Sequence, residues 1–258
     1  MAGVRTLQDI GGDAVLVAGG GRAILLQIAN PAVGAGVAAH SDFTSRPLDR
    51  LHGTLGFCYA QVYGTDADRK AIARRVNAAH APVTKPPNAH SAGYSAFDPT
   101  LQLWVAATLY DTAAQVHELV FGPLSKKDAD EVYSGYAVLG TALQMPADLW
   151  PEDRAAFRSW FDAELDNLEV SPEALSVSRQ LLTLAGAPLW LRAGLPAVRL
   201  VTAALLPPRL REAFGFRWTP RQQRRFDRML GVVRVVWPAV PRSIRHFPVR
   251  YYLRRLRR

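Results

Sequence analysis

Pro47-Leu48-Asp49-Arg50-Leu51-His52-Gly53-Thr54-Leu55-Gly56-Phe57-Cys58-Tyr59-Ala60-Gln61-Val62-Tyr63, joined through Gly64-Thr65 to Asp66 and on to His80-Ala81-Pro82, is the stretch that decides the fold. Ser45 is placed to cap a helix from about Pro47 to Tyr63. Gly64 ends it, Thr65 caps a second helix from Asp66 to about Ala81, and Pro82 stops the chain. Apolar residues recur at helical spacing in both halves. In the second, Ile72, Ala73, Val76 and Ala79 lie on one face, opposite Arg69, Lys70, Arg74 and Arg75.

The same punctuation recurs outward from this pair, and strand signals are scarce, so the chain reads as all-α with about ten helices. Upstream, helices are expected at about Thr6 to Ala18 and Arg22 to Ala29, separated by Gly19-Gly20-Gly21, with a third short helix from Pro31 to about Ser41. The three glycines read as a turn or a close helix contact, because neither a preceding strand nor the Gly-Lys-Ser/Thr ending of a phosphate loop accompanies them. Downstream, Lys85 to Ala96 is a loop. Asp98 caps and Pro99 starts a long apolar helix to about Phe121. Ser125 with Asp128 resembles a capping box opening a helix to about Leu143. Pro151 and Pro172 mark two further starts. Leu189 to Leu206, then Pro220 to Val236 capped by Thr219, precede a proline-broken arginine-rich tail at about 239–258.

With 258 residues and 49% hydrophobic content the chain can bury a sizeable core, and the reading is one domain over residues 1–258. Its one cysteine, Cys58, excludes an internal disulfide and points to a reducing cytosol. The first residues lack the charged start and apolar run of a secretory signal, so export is not expected. The most lipid-like stretch, Pro188 to Pro207, carries Arg192 and Arg199 and reads as an amphipathic or core helix. The net charge is +9, but from Pro207 onward 15 arginines face only Glu212 and Asp227, giving that part +13 and the rest −4. Such a tail attracts anionic lipid or nucleic acid through general electrostatics.

Arg50 and Thr54, at i and i+4, share a helix face with Cβ atoms about 6 Å apart and can act on one ligand. They equally suit an exposed arginine and a threonine bonded back to a helix carbonyl. His80 closes the next helix near the core boundary, where it is either a ligand or a C-terminal cap favoured by the helix dipole. His80 with His90, or His40 with Asp42 or His52, would be the material for a non-haem metal site, but no His-x-x-x-His or His-Glu-x-x-His spacing exists. A hydrolase is not indicated: there is no Gly-x-Ser-x-Gly, and Cys58 is expected to be buried without a cation to activate it.

Several blocks in order carry a resemblance. They are Gly21 to Pro31, Gly36-Val37-Ala38-Ala39-His40-Ser41-Asp42-Phe43, Pro47 to Thr54, Arg75 to Val83, Tyr94-Ser95-Ala96-Phe97-Asp98 and Leu103-Trp104-Val105. Together they resemble the catalytic-domain family shared by the bacterial rubber oxygenase (latex-clearing protein) and the fungal endoplasmic-reticulum-bound oxygenase MpaB. The resemblance implies an all-α fold with a globin-like core enclosing haem b, His80 as the axial iron ligand, and Arg50 and Thr54 lining the distal side. It also implies dioxygen and a hydrophobic substrate, an alkenyl lipid or terpenoid. Three positions depart from the pattern: Gly53 where the rubber oxygenase has a lysine, Ala106 where many relatives have histidine, and Asn30 where histidine is common. His40 is family-like and reads as structural or supporting.

Two functions are therefore expected. The first is a haem-dependent oxygenase. The second is a non-catalytic haem- or lipid-binding member of the fold that docks to a membrane or protein. Arg242, Arg245, Arg250, Arg254, Arg255, Arg257 and Arg258 alternate with Phe247, Tyr251, Tyr252 and Leu253, which suits an anionic membrane surface. The expected location is thus cytoplasmic, peripheral to the inner face of the membrane. Nucleic acid is not the expected partner, since no reader motif accompanies the arginines.

Overall fold

The computed structural model describes residues 4–40, 49–87, 93–183 and 192–258, and for Arg50 the backbone alone. The expected cap Ser45, together with Asp42, His90 and the start of the Leu189–Leu206 helix, lies outside these residues.

The chain is all-α. Its helices are α1 (Leu7–Ile10), α2 (Gly20–Ala29), α3 (Pro31–His40), α4 (Asp49–Tyr63), α5 (Asp66–His80), α6 (Pro99–Phe121), α7 (Lys126–Tyr136) and α8 (Val138–Thr141), followed by α9 (Arg154–Asn167), α10 (Pro172–Thr183), α11 (Leu195–Leu205), α12 (Pro208–Ala213), α13 (Pro220–Val236), α14 (Arg242–Arg245) and α15 (Phe247–Leu256). The segment expected to be a loop contains a two-residue antiparallel ribbon, β1 (Thr84–Lys85) against β2 (Tyr94–Ser95).

Local chemistry explains most of the boundaries. Asp98 accepts from the Thr100 amide at 2.8 Å, Pro99 takes the first turn, and Gly122 with φ +84° ends α6. Thr65 and Asp68 exchange reciprocal cap bonds at the start of α5, as do Thr219 and Gln222 at α13. Three boundaries differ from expectation. The first helix breaks at Gly11-Gly12, and a 3₁₀ turn over Ala14–Gly19 runs straight into α2. The helix opened by Ser125 breaks at Ala137, and its capping box is half formed: Ser125 accepts from the Asp128 amide, while the Asp128 carboxylate accepts from the Arg5 amide instead. The helix expected at Pro151 starts at Arg154, where the Asp153 carboxylate accepts from two amides at 2.8 Å.

The glycine trio sits in the 3₁₀–α2 junction rather than between two helices. A methyl group at Gly21 would collide with the Thr202 hydroxyl of α11, so close packing is its purpose. That contact buries α2: Leu25, Leu26, Ile28 and Ala29 are sealed from solvent against α3, α6 and α11. A second part of the same core is aromatic. Tyr110, Tyr133, Trp150 and Phe157 meet edge-on or stacked, and Phe161 stacks on Trp104 at 5.3 Å. Among the described residues no single helix is long and apolar enough to cross a membrane.

Candidate functional site

α4 presents Leu51, Leu55, Cys58 and Val62 to the interior at helical spacing, with Thr54 on the same flank. Opposite them stand Ala23, Ile24 and Gln27 of α2 and Leu109, Thr112 and Ala113 of α6, with Tyr136 and Leu139 closing one end. Between these walls lies an apolar cavity of about 110 Å³.

Three of its polar groups are committed. The Gln27 amide donates to Thr108 at 3.1 Å, Thr112 Oγ1 accepts from Arg22 at 2.7 Å, and the Tyr63 hydroxyl donates to the Gln8 carbonyl at 3.0 Å. The Thr54, Tyr59 and Tyr136 hydroxyls have no hydrogen-bond partner among the described residues. These are the groups left to serve a ligand, Thr54 and Tyr59 from the α4 wall and Tyr136 from α7. Burial pushes the Cys58 thiol up to about 12, and Tyr59, Tyr63 and Tyr136 are likewise raised, chiefly by burial. All four groups are neutral at physiological pH, so the cavity carries no charge of its own on these side chains.

His80 stands at the end of α5, one turn beyond Val76 and two beyond the buried Ile72. Its Nδ1 is shielded from solvent, and Phe97 meets the ring edge-on at 6.4 Å. The turn that carries it is anchored: Asn77 Oδ1 accepts from Gln144 at 2.9 Å, and Gln144 is paired in turn with Gln102 of α6. Thr54 lines the cavity, whereas His80 lies outside its wall. The Arg50 side chain lies outside the described residues, so no position is assigned to it.

The three departures have local explanations. Gly53 is exposed with open space where a side chain would start, so no group from this position covers the cavity. Ala106 is sealed in the α6 core. Asn30 caps α3, its carboxamide accepting from Ala32 at 3.1 Å and Val33 at 3.3 Å. His40 meets the Tyr94 hydroxyl at 3.2 Å and helps dock α3 on β2. His52 meets Tyr252 at 2.7 Å, and burial lowers its affinity for a proton.

Spacing alone did not single out the buried ionic knot beside the cavity. Arg22 Nη2 and Asp111 Oδ2 are 2.6 Å apart, and Arg158 meets the other carboxylate oxygen at 2.6 Å. Arg22 also donates to the Leu205 carbonyl at 2.8 Å, tying α2, α6, α9 and the end of α11 together. A charged pair at i and i+3 or i+4 can be read from sequence. These partners are 89 and 47 residues apart.

These features define an all-helical protein built around an apolar cavity with uncommitted hydroxyls on its wall, Thr54 among them. The chain belongs to the family described as ER-bound oxygenase mpaB/B'/Rubber oxygenase, catalytic domain, whose model matches residues 8–235. It is 34% identical over 235 residues to an uncharacterized protein of Mycobacterium bovis and, equally, to one of Mycobacterium tuberculosis, covering 89% of this chain and 92% of each relative. No solved structure matches.

The family implies a haem, and the donor set can be tested against it. Among the described residues no three His, Cys, Asp or Glu side chains gather as a metal-ligand cluster. A haem asks less of the protein, a single axial donor and an apolar wall, and His80 and the α4 cavity supply residues of those kinds. In donor chemistry the residues fit. The cavity is smaller than the roughly 300–1,000 Å³ of ordinary ligand pockets, so a tetrapyrrole would require its walls to part.

Proposed function

We propose that this protein is a haem b-dependent oxygenase that uses dioxygen to oxidise a hydrophobic substrate of the alkenyl lipid or terpenoid class. The observation that carries the reading is the Thr54 hydroxyl, uncommitted on the wall of an apolar, uncharged cavity in a chain of this family. His80 would hold the iron, which when bound supplies the means to bind and activate dioxygen. Arg50 and Thr54 would supply hydrogen-bond donors beside it.

The chain's own contributions follow from its side chains. The leucines, valine and neutral phenols around Thr54 exclude water and receive an apolar chain. The Thr54 hydroxyl donates one hydrogen bond to an oxygen atom in a setting where an unpaired polar group is costly, which fixes that atom's position. Asn77, Gln144 and Gln102 hold the turn that carries His80, so its ring is positioned before any ligand arrives. A cytoplasmic location belongs to the same proposal.

The absorbance spectrum of the purified protein after haem supplementation tests the cofactor. An intense Soret band is expected, lost or displaced in His80→Ala. No band, or the same band in the variant, overturns the assignment. Oxygen uptake with a polyisoprenoid then tests the reaction, with Thr54→Val expected to lower kcat by about tenfold to a thousandfold while the band remains.

A further inference from the structure

The arginine-rich end of the chain divides in the structure into paired and unpaired charges. Arg242 meets Asp9 at 3.1 Å, Arg245 meets Asp13 at 2.6 Å and Arg257 meets Asp68 at 2.7 Å. These three hold the tail to the body. Tyr252 and Leu253 turn inward, where Val249 and Tyr252 are buried against Tyr59 of α4. What remains outside is Phe247, Arg250, Tyr251, Arg254 and Arg255, all exposed, at spacings of three and four that place them on one face of α15, with the exposed Arg258 beside them just past its end. None of the four arginines forms an ion pair among the described residues. Phe247 and Tyr251, 57% and 42% exposed, put their rings 6.0 Å apart at the N-terminal end of that face.

We infer that this outer face of α15 is a docking surface for an anionic lipid bilayer. Charge complementarity selects the partner. Four guanidinium groups lacking protein counter-ions attract a negative surface, each contributing to adsorption, while two aromatic rings suit the polar–apolar boundary of the headgroups. The position has a consequence for access. α15 packs on α4, whose Leu55, Tyr59 and Tyr63 both meet α15's buried cluster and line the cavity, so a docked bilayer would lie within about one or two helix diameters, on the order of 10–20 Å, of the cavity wall. The inference stands on charge and exposure and does not require haem to be bound.

Flotation of the full-length protein with vesicles of phosphatidylcholine alone, or with phosphatidylglycerol as about a third of the lipid, tests it. Binding is expected to the mixed vesicles and not to the neutral ones, and raised salt should release it. The triple variant Arg250→Gln, Arg254→Gln, Arg258→Gln should lower partitioning by about a hundredfold, and Phe247→Ala with Tyr251→Ala by a smaller factor. Thermal melts unchanged from wild type would confirm that the variants fold. The inference is overturned by failure to float with mixed vesicles, by equal binding to neutral ones, or by full binding of the folded triple variant. Stronger binding to duplex DNA at matched salt, abolished by the same three changes, would instead make the face a nucleic-acid surface.

Discussion

Arginine serves opposite ends in two regions of this molecule. On α2, Arg22 is 4% exposed and every nitrogen of its guanidinium is engaged, by Asp111, Thr112 and the Leu205 carbonyl. Burial lowers its pKa, and Asp111 opposes that shift. On the outer face of α15, four arginines stand in solvent with no ion-pair partner among the described residues. The difference teaches that charge count says little until burial is known. A buried guanidinium must be matched atom for atom, whereas an exposed one is free to recruit a partner from outside the chain.

The comparison is most exposed to failure at Asp111. Asp111→Ala leaves a buried arginine without its counter-ion and is expected to cost about 3–5 kcal/mol, read as a lowered denaturation midpoint in urea. A loss under 1 kcal/mol would mean that solvent reaches Arg22 and that the two regions are alike. A smaller loss is expected from Gly21→Ala, which forces a methyl group onto Thr202 where α2 and α11 touch. About 1–3 kcal/mol should disappear through overpacking, and calorimetric melting checks it.

Asp68 gives a pH test of the tail's attachment. The hydrogen bond from Arg257, then those from Thr65, hold its carboxyl well below the usual range. A depressed carboxylate contributes stability that is complete above its unfolded value, near about 4, and lost as pH falls through the lower folded value. Hydrogen-exchange protection factors in residues 247–258 should therefore hold from neutrality to about pH 4 and fall below it. Asp68→Asn should be fast at neutral pH. Equal protection in both would place the tail's anchoring in Val249 and Tyr252 and the ion pairs of Arg242 and Arg245. Least of all is expected from Arg254→Gln alone, which should change stability by no more than about 0.5 kcal/mol in the same urea titration.

Much of the fold was legible because its signals are local. Asp98-Pro99 and Gly122 bound α6, and Gly64-Thr65 separates α4 from α5, as side-chain caps and glycine geometry require. One misread boundary has an equally local cause, since Asp153 outcompeted Pro151 as the start of α9, whereas the half-formed capping box at Ser125 reflects a distant partner, Arg5. Of the candidate site, the α4 apolar stripe with Thr54 was legible, and so was a His80 at the core boundary. The cavity wall supplied by α2 and α6 was not, nor was the amide chain Asn77–Gln144–Gln102, because its members come from three separate elements.

By itself the sequence determined the helical class, most helix limits, the family and the concentration of arginine at one end, since each depends on spacing or composition along the chain. Tertiary structure alone decided which arginines are spent internally and which stay free, that Gly21 is a contact rather than a turn, and that Thr54 faces a cavity while His80 lies beyond its wall. Those outcomes depend on residues tens to hundreds of positions apart meeting at atomic distances, and no local pattern encodes such meetings.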